Sequence, residues 1–374
     1  MIPFSKLSYW ERSIYTDEIE FGIIGAGIVG LSTALHLRKA HPKAKIVLLE
    51  RGYLPTGAST KNAGFACFGS PTELRDDLSK MDERTVWDTV SMRLEGLKEL
   101  FSLVDKKQIQ YEACGSWDII REGEDTMTPD FLDYLNAELL KISGEKNVFC
   151  EDQKKLFDAG FNGVKTAYMN RLEGAIHTGK LIQELHRSCI NKDIQILFGV
   201  NVQSFEANQL GVTVETSAGT LNTHKLLVCT NAFAKDYLDD IQPARAQVLI
   251  TKPIPGLAVN GTFHMESGYY YFRNIENRIL FGGGRNLDFS GETNVAFETT
   301  NVIQDKLHEY LKELILPNTP FEIDYSWSGI MAVCSEKKPI IQKTNKNIAF
   351  GVRMGGMGVA IGASVGKQLS KIFS

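Results

Sequence analysis

Residues 25–30 are Gly25-Ala26-Gly27-Ile28-Val29-Gly30, and this stretch decides the fold. A short apolar run over 20–24 precedes it, and a helical pattern with apolar residues on one side follows over 31–40. The next run, 45–50, is nearly all apolar, as a parallel strand covered on both faces should be. Strand, glycine-rich turn, helix and strand follow one another within about 30 residues, which predicts a β-α-β unit with parallel strands.

The spacing of the three glycines suits a bound dinucleotide. Gly25 allows a tight turn off the strand, Gly27 lets the backbone approach a pyrophosphate, and Gly30 lets the helix pack closely on the strand. The pyrophosphate would lie at the helix N-terminus, where free N–H groups favour anions. Glu50 ends the second strand, where a carboxylate accepts the ribose hydroxyls of the adenosine half, although Arg51 leaves some room for a 2′-phosphate. This order of features predicts a dinucleotide site, the alternative being a glycine-rich turn of another α/β protein.

Two further glycine-rich segments favour FAD over a nicotinamide cofactor. Residues 56–64 form a loop rich in small residues after the acid, and 348–366 form a second strand–turn–helix pattern. Gly355, Gly356 and Gly358 permit close approach of the backbone to a planar ring. The helix that follows would point its positive end at a reduced flavin. An ordinary glycine-rich helix entry is the alternative explanation of this turn.

Length, charge and cysteine usage restrict the class of protein. The chain has 374 residues, of which 43% are hydrophobic and 23% charged, as expected of a soluble protein with two domains. Its net charge of −4 provides no electrostatic footprint for nucleic acid or an anionic membrane. Because no apolar stretch has the length of a membrane span or a signal peptide, we expect a cytoplasmic location. The six cysteines lack CxxC spacing, which favours reduced thiols and argues against a metal site.

Motifs spread along nearly the whole chain carry a family resemblance. They are Ser8-Tyr9-Trp10, the loop 56–64, Glu173-Gly174-Ala175-Ile176, Thr230-Asn231-Ala232, the runs 270–273 and 277–283, Trp327-Ser328-Gly329 and Pro339-Ile340. Together they resemble the D-amino-acid-oxidase-type family of FAD-dependent oxidoreductases, and within it the gamma-glutamylputrescine oxidases most closely. The resemblance implies an α/β fold, α+β overall, with a Rossmann-type FAD-binding domain and a second domain whose mixed sheet covers the catalytic face of the flavin.

The resemblance, together with the glycine pattern, also implies where the domains divide and which residues hold FAD. The FAD-binding domain would comprise 17–80, 165–245 and 325–374, and the substrate-binding domain would comprise 81–164 and 246–324. The residues expected to contact FAD are Gly25, Gly27, Ile28, Val29, Gly30, Glu50, Arg51, Ala58, Ser59, Asn62, Ala63, Gly64, Val202, Thr230, Asn231, Gly355, Gly356, Met357 and Gly358.

The sequence departs from the family pattern at several positions. Residues 330–333 contain no arginine, whereas glycine and sarcosine oxidases hold a substrate carboxylate with one there. The strand around Leu280 lacks the oxygen-activating lysine of sarcosine oxidase, and Met357 replaces the histidine that many relatives have in the final turn. Cys334 is displaced from the position of the cysteine that binds flavin covalently. These departures favour non-covalent FAD, count against a simple amino-acid substrate and leave the electron acceptor open.

The expected reaction is hydride transfer to the flavin from a C–H bond next to an amine nitrogen, in an amine or amino acid. Arg273 is predicted to clamp a substrate anion with Tyr271 beside it, and Arg353 is predicted to face flavin or substrate. For both arginines a structural role is the alternative. His264 is considered as a base, although an isolated histidine more often has a structural role.

Other functions fit parts of the pattern. The main alternative is an FAD-dependent 2-hydroxy-acid dehydrogenase, which would need a carboxylate clamp and a base for the hydroxyl proton. A non-enzymatic flavin-binding subunit is disfavoured because no appended partner domain is recognisable. An NAD-dependent dehydrogenase is disfavoured by the glycine-rich turn at 355–358.

Overall fold

The computed structural model describes residues 2–373. Its strands are β1 (Ile19–Ile24), β2 (Ile46–Glu50), β3 (Phe65–Ala66), β4 (Ser116–Arg121), β5 (Phe149–Glu151), β6 (Val164–Asn170), β7 (Gly174–Ala175), β8 (Gln195–Phe198), β9 (Val202–Ala207), β10 (Val212–Thr216), β11 (Gly219–Val228), β12 (Gln242–Thr251), β13 (Thr262–Met265), β14 (Tyr270–Ile275), β15 (Arg278–Gly283), β16 (Ile323–Val333), β17 (Ile340–Lys343) and β18 (Ile348–Val352). Its α-helices are α1 (Tyr9–Tyr15), α2 (Ile28–Ala40), α3 (Ala58–Lys61), α4 (Pro71–Lys80), α5 (Glu83–Leu103), α6 (Pro129–Ser143), α7 (Gln153–Ala159), α8 (Thr178–Ile190), α9 (Asn301–Tyr310) and α10 (Gly358–Ser370).

The first sheet has the strand order β17-β18-β11-β1-β2-β8, with β10 and β9 attached to β11. Its central strands run parallel, and in the β1–β2 register Phe21 lies opposite Ile46 and Ile24 opposite Leu49. Every residue of β2 is buried, as a strand covered on both faces requires. The parallel strands end at one edge of the sheet, where ligands bind in folds of this type. The predicted β-α-β unit and α/β class are confirmed.

Helices α2 and α10 pack against each other beside this sheet because α10 presents glycines to α2. A Cβ added at Gly362 would lie 2.8 Å from the Ile28 side chain, and one at Gly366 would lie 2.7 Å from Ser32 Cβ. The close packing of these helices brings the N-terminal glycine turn and the C-terminal glycine turn to the same edge of the sheet.

The second sheet has the order β16-β12-β15-β14-β13-β4-β6-β5 and is antiparallel except where β13 pairs with β4. Aromatic rings fill the core on one of its faces. The rings of Phe263 and Phe272 stack with centroids 4.7 Å apart, and Phe281 meets Phe272 edge-on at 5.8 Å. This layer supplies a rigid wall of alternating side chains whose other face is available for a site.

Several predicted elements differ in the structure. The sequence predicts a strand pair over 109–122, but the only strand there is β4, because Gly115 adopts a left-handed conformation with φ of 78° that interrupts the run. The helix expected over 300–314 ends at Tyr310 and passes into a π-turn over Leu311–Ile315. Strand β13 was not predicted, since four residues between turns give too short an alternating pattern.

The sheets also differ from the predicted domain limits. Strand β6, most of which was assigned to the FAD-binding domain, lies in the second sheet, and so does β16. Helix α5, assigned to the substrate-binding domain, packs on α10, where a Cβ at Gly96 would overlap the carbonyl oxygen of Ala360. Among residues 2–373, no helix has the length and apolar character needed to cross a bilayer.

Candidate active site

A cavity of about 1140 Å³ is lined by residues of both sheets. From the first sheet come Ile24, Leu49 and Val228, and from the second come Val248 and Tyr271. The cavity is larger than the usual pocket for a drug-sized ligand, which leaves room for a dinucleotide and a second molecule. Most of the residues predicted to contact FAD line it: Gly25, Gly27, Ile28, Val29, Glu50, Arg51, Ala58, Ser59, Asn62, Ala63, Val202, Thr230, Asn231, Gly355, Gly356, Met357 and Gly358.

The N-terminal glycine turn forms a cradle for a phosphate group. Gly25 has φ of 101°, and a Cβ there would lie 2.9 Å from the carbonyl oxygen of Cys229. Helix α2 has Gly27 as its N-cap and no side chain caps it from that position. The Ile28 amide donates a hydrogen bond to Ser59 Oγ at 3.1 Å, so the loop carrying α3 is held against the helix end. This geometry leaves a helix N-terminus facing the cavity, as an anion requires.

Glu50 has the position expected of a ribose ligand. Its Oε2 accepts a hydrogen bond from the Ala26 amide at 3.1 Å, and its Oε1 accepts one from the Gly52 amide at 3.0 Å. Each carboxylate oxygen keeps a free acceptor site for a hydroxyl group. Beside it, the Arg51 guanidinium lies 4.0 Å from the centroid of the Phe233 ring and lines the same part of the cavity.

The C-terminal turn is shaped by left-handed glycines and by one asparagine. Gly355 and Gly356 have φ of 59° and 83°, conformations that glycine adopts without strain. Asn231 Oδ1 accepts hydrogen bonds from the Arg353 and Met354 amides, both at 3.1 Å. Helix α10 begins at Gly358 without a side-chain cap, so its N-terminal amides are available to a ligand in the cavity.

Two of the three predicted catalytic residues lie outside the cavity lining, and these predictions are corrected. Arg273 donates from Nη1 to the carbonyl oxygens of Gly64 at 2.9 Å and Ile176 at 3.0 Å, so its guanidinium joins backbone segments. Arg353 donates from Nε to the Lys338 carbonyl at 3.0 Å and also pairs with the Asp240 carboxylate. Both side chains are buried by these partners, which leaves neither free to clamp a substrate anion.

Gly30 and Gly64, predicted to contact FAD, also lie outside the cavity lining. A Cβ at Gly30 would overlap the Gly25 carbonyl oxygen, so this glycine allows α2 to pack closely on the end of β1. The Gly64 amide donates a hydrogen bond to Asn62 Oδ1 at 2.9 Å, and the Gly64 carbonyl oxygen accepts one from Arg273. Both glycines therefore support the shape of the phosphate cradle without lining the cavity.

Tyr271, the third predicted catalytic residue, lines the cavity beside His264. The two residues are directly opposite in the β13–β14 register, so their side chains share one face of the sheet. Burial raises the pKa of Tyr271 to about 12 and lowers the pKa of His264 to about 4. Both side chains are therefore neutral near pH 7. Phe65 packs edge-on against both rings, with centroids 5.0 Å from His264 and 5.9 Å from Tyr271.

Behind His264 lies a buried carboxyl group that the sequence analysis did not assign. Glu173 Oε1 accepts hydrogen bonds from the Phe68 amide at 2.7 Å and the Gly69 amide at 3.0 Å. Its Oε2 faces His264 Nε2 at 3.8 Å, and neither atom has a hydrogen-bond partner among the described residues. Burial raises the pKa of Glu173 to about 8, so its neutral form is favoured.

The sequence also did not predict a cluster of charged side chains, which lie on α4, on α5 and in the segment after β16. Lys337 Nζ lies 2.6 Å from Asp77 Oδ1 and 3.4 Å from Glu73 Oε1, and Arg93 Nη1 lies 3.3 Å from the same Glu73 oxygen. Burial opposes ionisation of Lys337, but Glu73 and Asp77 outweigh it and raise its pKa. Lys337, Glu73 and Asp77 line the cavity. No spacing in the sequence relates these segments, because the fold alone brings them together.

A family model described as FAD dependent oxidoreductase, the DAO family, matches residues 20–372. The chain belongs to this family. The predicted family resemblance and the predicted FAD cofactor are thereby confirmed, and the chain is an FAD-dependent oxidoreductase.

Relatives and solved structures agree with the family assignment. The chain is 23% identical over 379 residues to the gamma-glutamylputrescine oxidoreductase of Escherichia coli (strain K12), covering 94% of this chain and 82% of that protein. It is 32% identical over 114 residues to the mitochondrial L-2-hydroxyglutarate dehydrogenase of Dictyostelium discoideum, covering 29% of this chain and 22% of that protein. The structure of L-proline dehydrogenase from P. horikoshii superposes with a TM-score of 0.74 at 16% identity, covering 96% of this chain and 94% of that one.

The residues present fit FAD. The uncapped N-termini of α2 and α10 both open on the cavity, and the Glu50 carboxylate retains free acceptor sites there. A side chain at Gly27 would meet Ser59 Oγ at 2.8 Å, within the cradle that a pyrophosphate would need. The second glycine turn, 355–358, would then lie along the flavin.

Proposed function

We propose that this family member oxidises a C–N bond of an amine or amino acid. The observation that carries the proposal is the pair of neutral side chains, buried His264 and half-buried Tyr271, on the cavity wall formed by the second sheet. When bound, FAD supplies the acceptor for the hydride. The names of the relatives, which include an amine oxidoreductase and an amino-acid dehydrogenase, support the same reaction class.

The side chains of the wall have complementary tasks in this proposal. Neutral His264 can accept a hydrogen bond from the substrate nitrogen and so hold it in place as the C–H bond breaks. The Tyr271 hydroxyl can orient the substrate because burial keeps its proton in place. Phe65 and Val248 line the cavity with apolar surface, which excludes water from the reacting atoms.

The test is anaerobic reduction of the purified flavoprotein. Primary and secondary amines, amino acids, polyamines and 2-hydroxy acids are mixed with it, and loss of the oxidised flavin absorbance is followed. We expect an amine or amino acid to bleach the flavin, and admission of air then distinguishes an oxidase from a dehydrogenase. Full retention of absorbance with every amine and amino acid would contradict the proposal.

A matched pair of variants tests the site itself. His264→Gln removes the imidazole that positions the substrate and should slow flavin reduction by about 100-fold. His36→Gln is the control, because His36 also faces a glutamate, Glu99 at 3.3 Å, but does not line the cavity. Equal rates in the two variants would remove His264 from the mechanism.

A second candidate is oxidation of a 2-hydroxy acid. The match to the L-2-hydroxyglutarate dehydrogenase favours it, and His264 could accept a hydrogen bond from a hydroxyl group equally well. Bleaching by 2-hydroxy acids but by no amine would establish this reaction in place of the first.

We further propose that FAD is bound non-covalently. Cys67, Cys229 and Cys334 line the cavity, but burial raises the pKa of Cys67 well above its ordinary value and that of Cys229 to about 12, which keeps both thiols unreactive. Acid precipitation should therefore leave all the flavin in the supernatant. Yellow colour in the washed precipitate would contradict this proposal.

The cysteines also support a cytoplasmic location, which we propose here. All six thiols are free in the structure, as in a reducing compartment. Fractionation of cells that express the chain should recover its flavin absorbance in the cytosolic fraction, and recovery with membranes would contradict the proposal.

A further inference from the structure

Arg285 has a place in the cavity that neither the sequence analysis nor the family assignment gave it. It begins the 3-10 turn Arg285–Leu287, directly after Gly284, which adopts φ of 77° and turns the chain at the end of β15. The side chain is half-buried and lines the cavity.

The guanidinium of Arg285 has no acidic partner within residues 2–373. No carboxylate lies within ion-pair distance of it, and its buried Nε makes no hydrogen bond. The Glu292 carboxylate is near enough to favour the charged form of Arg285, but it is already bound by Arg245 at 2.7 Å and by Gln247 at 2.8 Å. A partly buried cation without a partner loses hydration that nothing in the protein replaces, so a bound anion would stabilise it.

Two other cations that line the cavity are neutralised by carboxylates. Lys80 pairs with Asp76 at 2.6 Å, and Lys337 pairs with Asp77 at 2.6 Å. Lys61 and Arg51 also line the cavity without an ion pair among the described residues. Lys61 lacks the planar pair of donors that suits a carboxylate, and Arg51 lies next to Glu50, where the ribose is expected, so Arg285 is the arginine available to a substrate anion.

Aromatic rings place Arg285 at the mouth of the cavity. Its guanidinium lies 4.9 Å from the centroid of the Phe289 ring, which in turn packs against Tyr269 at 6.0 Å. Phe289 and Tyr269 line the cavity but are 46% and 37% exposed, whereas Tyr271 is only half-exposed or less. The Phe289 ring packs on the guanidinium, an arrangement that an arginine engaged in planar, bidentate recognition can keep.

The backbone limits the distance between Arg285 and the wall formed by His264 and Tyr271. Gly282 lies directly opposite Tyr271 in the β14–β15 register. Arg285 is three positions further along the chain, so the Cα atoms of Gly282 and Arg285 are at most about 11 Å apart. One small molecule can therefore contact the His264–Tyr271 wall with its nitrogen and Arg285 with its other end.

We propose that Arg285 binds a carboxylate group that the substrate carries away from its reacting C–N bond. This inference rests on the proposed function and names its substrate class: amines whose carbon chain ends in a carboxylate. Arg285 acts on affinity and selection, because it contacts a part of the substrate that does not change charge in the reaction.

The experiment compares matched probes and matched variants. An ω-amino carboxylate and its carboxamide are mixed anaerobically with the flavoprotein, and the dissociation constant and the limiting rate of flavin reduction are measured for each. Arg285→Gln should raise the dissociation constant of the carboxylate about 10- to 100-fold, with little change for the carboxamide or in the limiting rate. Arg285→Lys should recover part of the affinity, since lysine keeps the charge but loses the bidentate geometry.

Arg278→Gln is the control variant, because Arg278 pairs with Asp324 at 2.5 Å and does not line the cavity. Equal affinity for carboxylate and carboxamide in the wild-type protein, or an unchanged preference in Arg285→Gln, would overturn the inference.

A binding measurement separates this inference from the proposed function. Glutarate is titrated into the oxidised flavoprotein, and the perturbation of the flavin spectrum is followed, which requires no turnover. Saturable binding that weakens in Arg285→Gln supports the anion site even if no amine reduces the flavin. Absence of binding to the wild-type protein counts against the site even if amines do reduce it.

Discussion

The Glu50 carboxylate is a single side chain on which cofactor affinity should depend. It already accepts two backbone amides, and its remaining acceptor sites are the ones available to ribose hydroxyls. Glu50→Gln keeps an acceptor for one amide but replaces a charged acceptor with a neutral one. We expect the dissociation constant for FAD to rise by about tenfold or more, measured by reconstituting apoprotein and following quenching of flavin fluorescence. Glu20→Gln is the control, because its exposed carboxylate accepts the Lys45 amide outside the cavity; an equal loss of affinity in both variants would contradict the assignment.

Glu173 should make stability depend on pH. Burial raises its pKa from 4.5 to about 8, so between these values the folded chain retains a proton that the unfolded chain releases. The unfolded state then binds fewer protons, and the stabilisation present below pH 4.5 is lost as pH rises towards 8. Glu173→Gln cannot titrate, so the difference in melting temperature between this variant and wild type should change by a few degrees in favour of the variant from pH 5 to pH 8. Exposed Glu322→Gln is the control, and a constant difference for Glu173→Gln across the range would refute the shift.

The arginines show that residue type alone does not predict which cation binds a ligand. Arg273 and Arg353 have the charge expected of an anion clamp, but three-dimensional packing turns them towards backbone carbonyls. Arg285 has no distinguishing sequence context, yet it lines the cavity and has no acidic partner among the described residues. The side-chain direction depends on strand register and on a left-handed glycine, Gly284, which a sequence pattern does not resolve.

At the scale of elements, the α2–α10 contact depends on small residues. A methyl group at Gly366 would lie 2.7 Å from Ser32 Cβ and 2.8 Å from the Thr33 amide nitrogen, so the helices would have to separate. Gly366→Ala should therefore lower the free energy of unfolding by about 1–3 kcal/mol, measured by urea denaturation of the FAD-saturated protein. Gln368→Ala, an exposed site on the same helix, should change stability little. If both variants lose the same amount, helix packing at Gly366 is not the cause.

Elements with strong periodicity were predicted from the sequence, and those defined by tertiary contact were not. β1, α2 and β2 follow from uninterrupted apolar runs around a glycine turn. The short edge strand β5 and the four-residue strand β13 are stabilised by pairing with distant segments, as β13 is by β4. Most of the cofactor site could therefore be predicted, because it is built on two local glycine motifs. Tyr271 and His264 were also considered from the sequence, but Glu173 behind His264 and Glu73 were not, because they come from segments far apart in the chain.

At the scale of the whole molecule, the cofactor cavity joins the two sheets into one unit. Trp327 on β16 donates from Nε1 to the carbonyl oxygen of Lys61 at 3.0 Å, and a Cβ at Gly329 would lie 3.0 Å from the Lys61 side chain. The loop expected to contact FAD is thus attached to the second sheet as well as to α2. A ligand bound there contacts both layers at once, so its binding energy should stabilise both.

We therefore expect FAD to shift unfolding of the entire chain as a single transition. Free FAD at 100 times its dissociation constant should add about 2.7 kcal/mol to the free energy of unfolding, because it binds only the folded state. Far-ultraviolet circular dichroism reports all helices and strands, whereas tryptophan fluorescence reports four sites, of which Trp117 and Trp327 lie in the second sheet. Both signals should move together to higher temperature with added FAD and remain unmoved by NAD. A different outcome is that FAD does not shift the fluorescence transition and that the dichroism curve shows two transitions. The sheets would then unfold independently, and the shared cavity would not couple them.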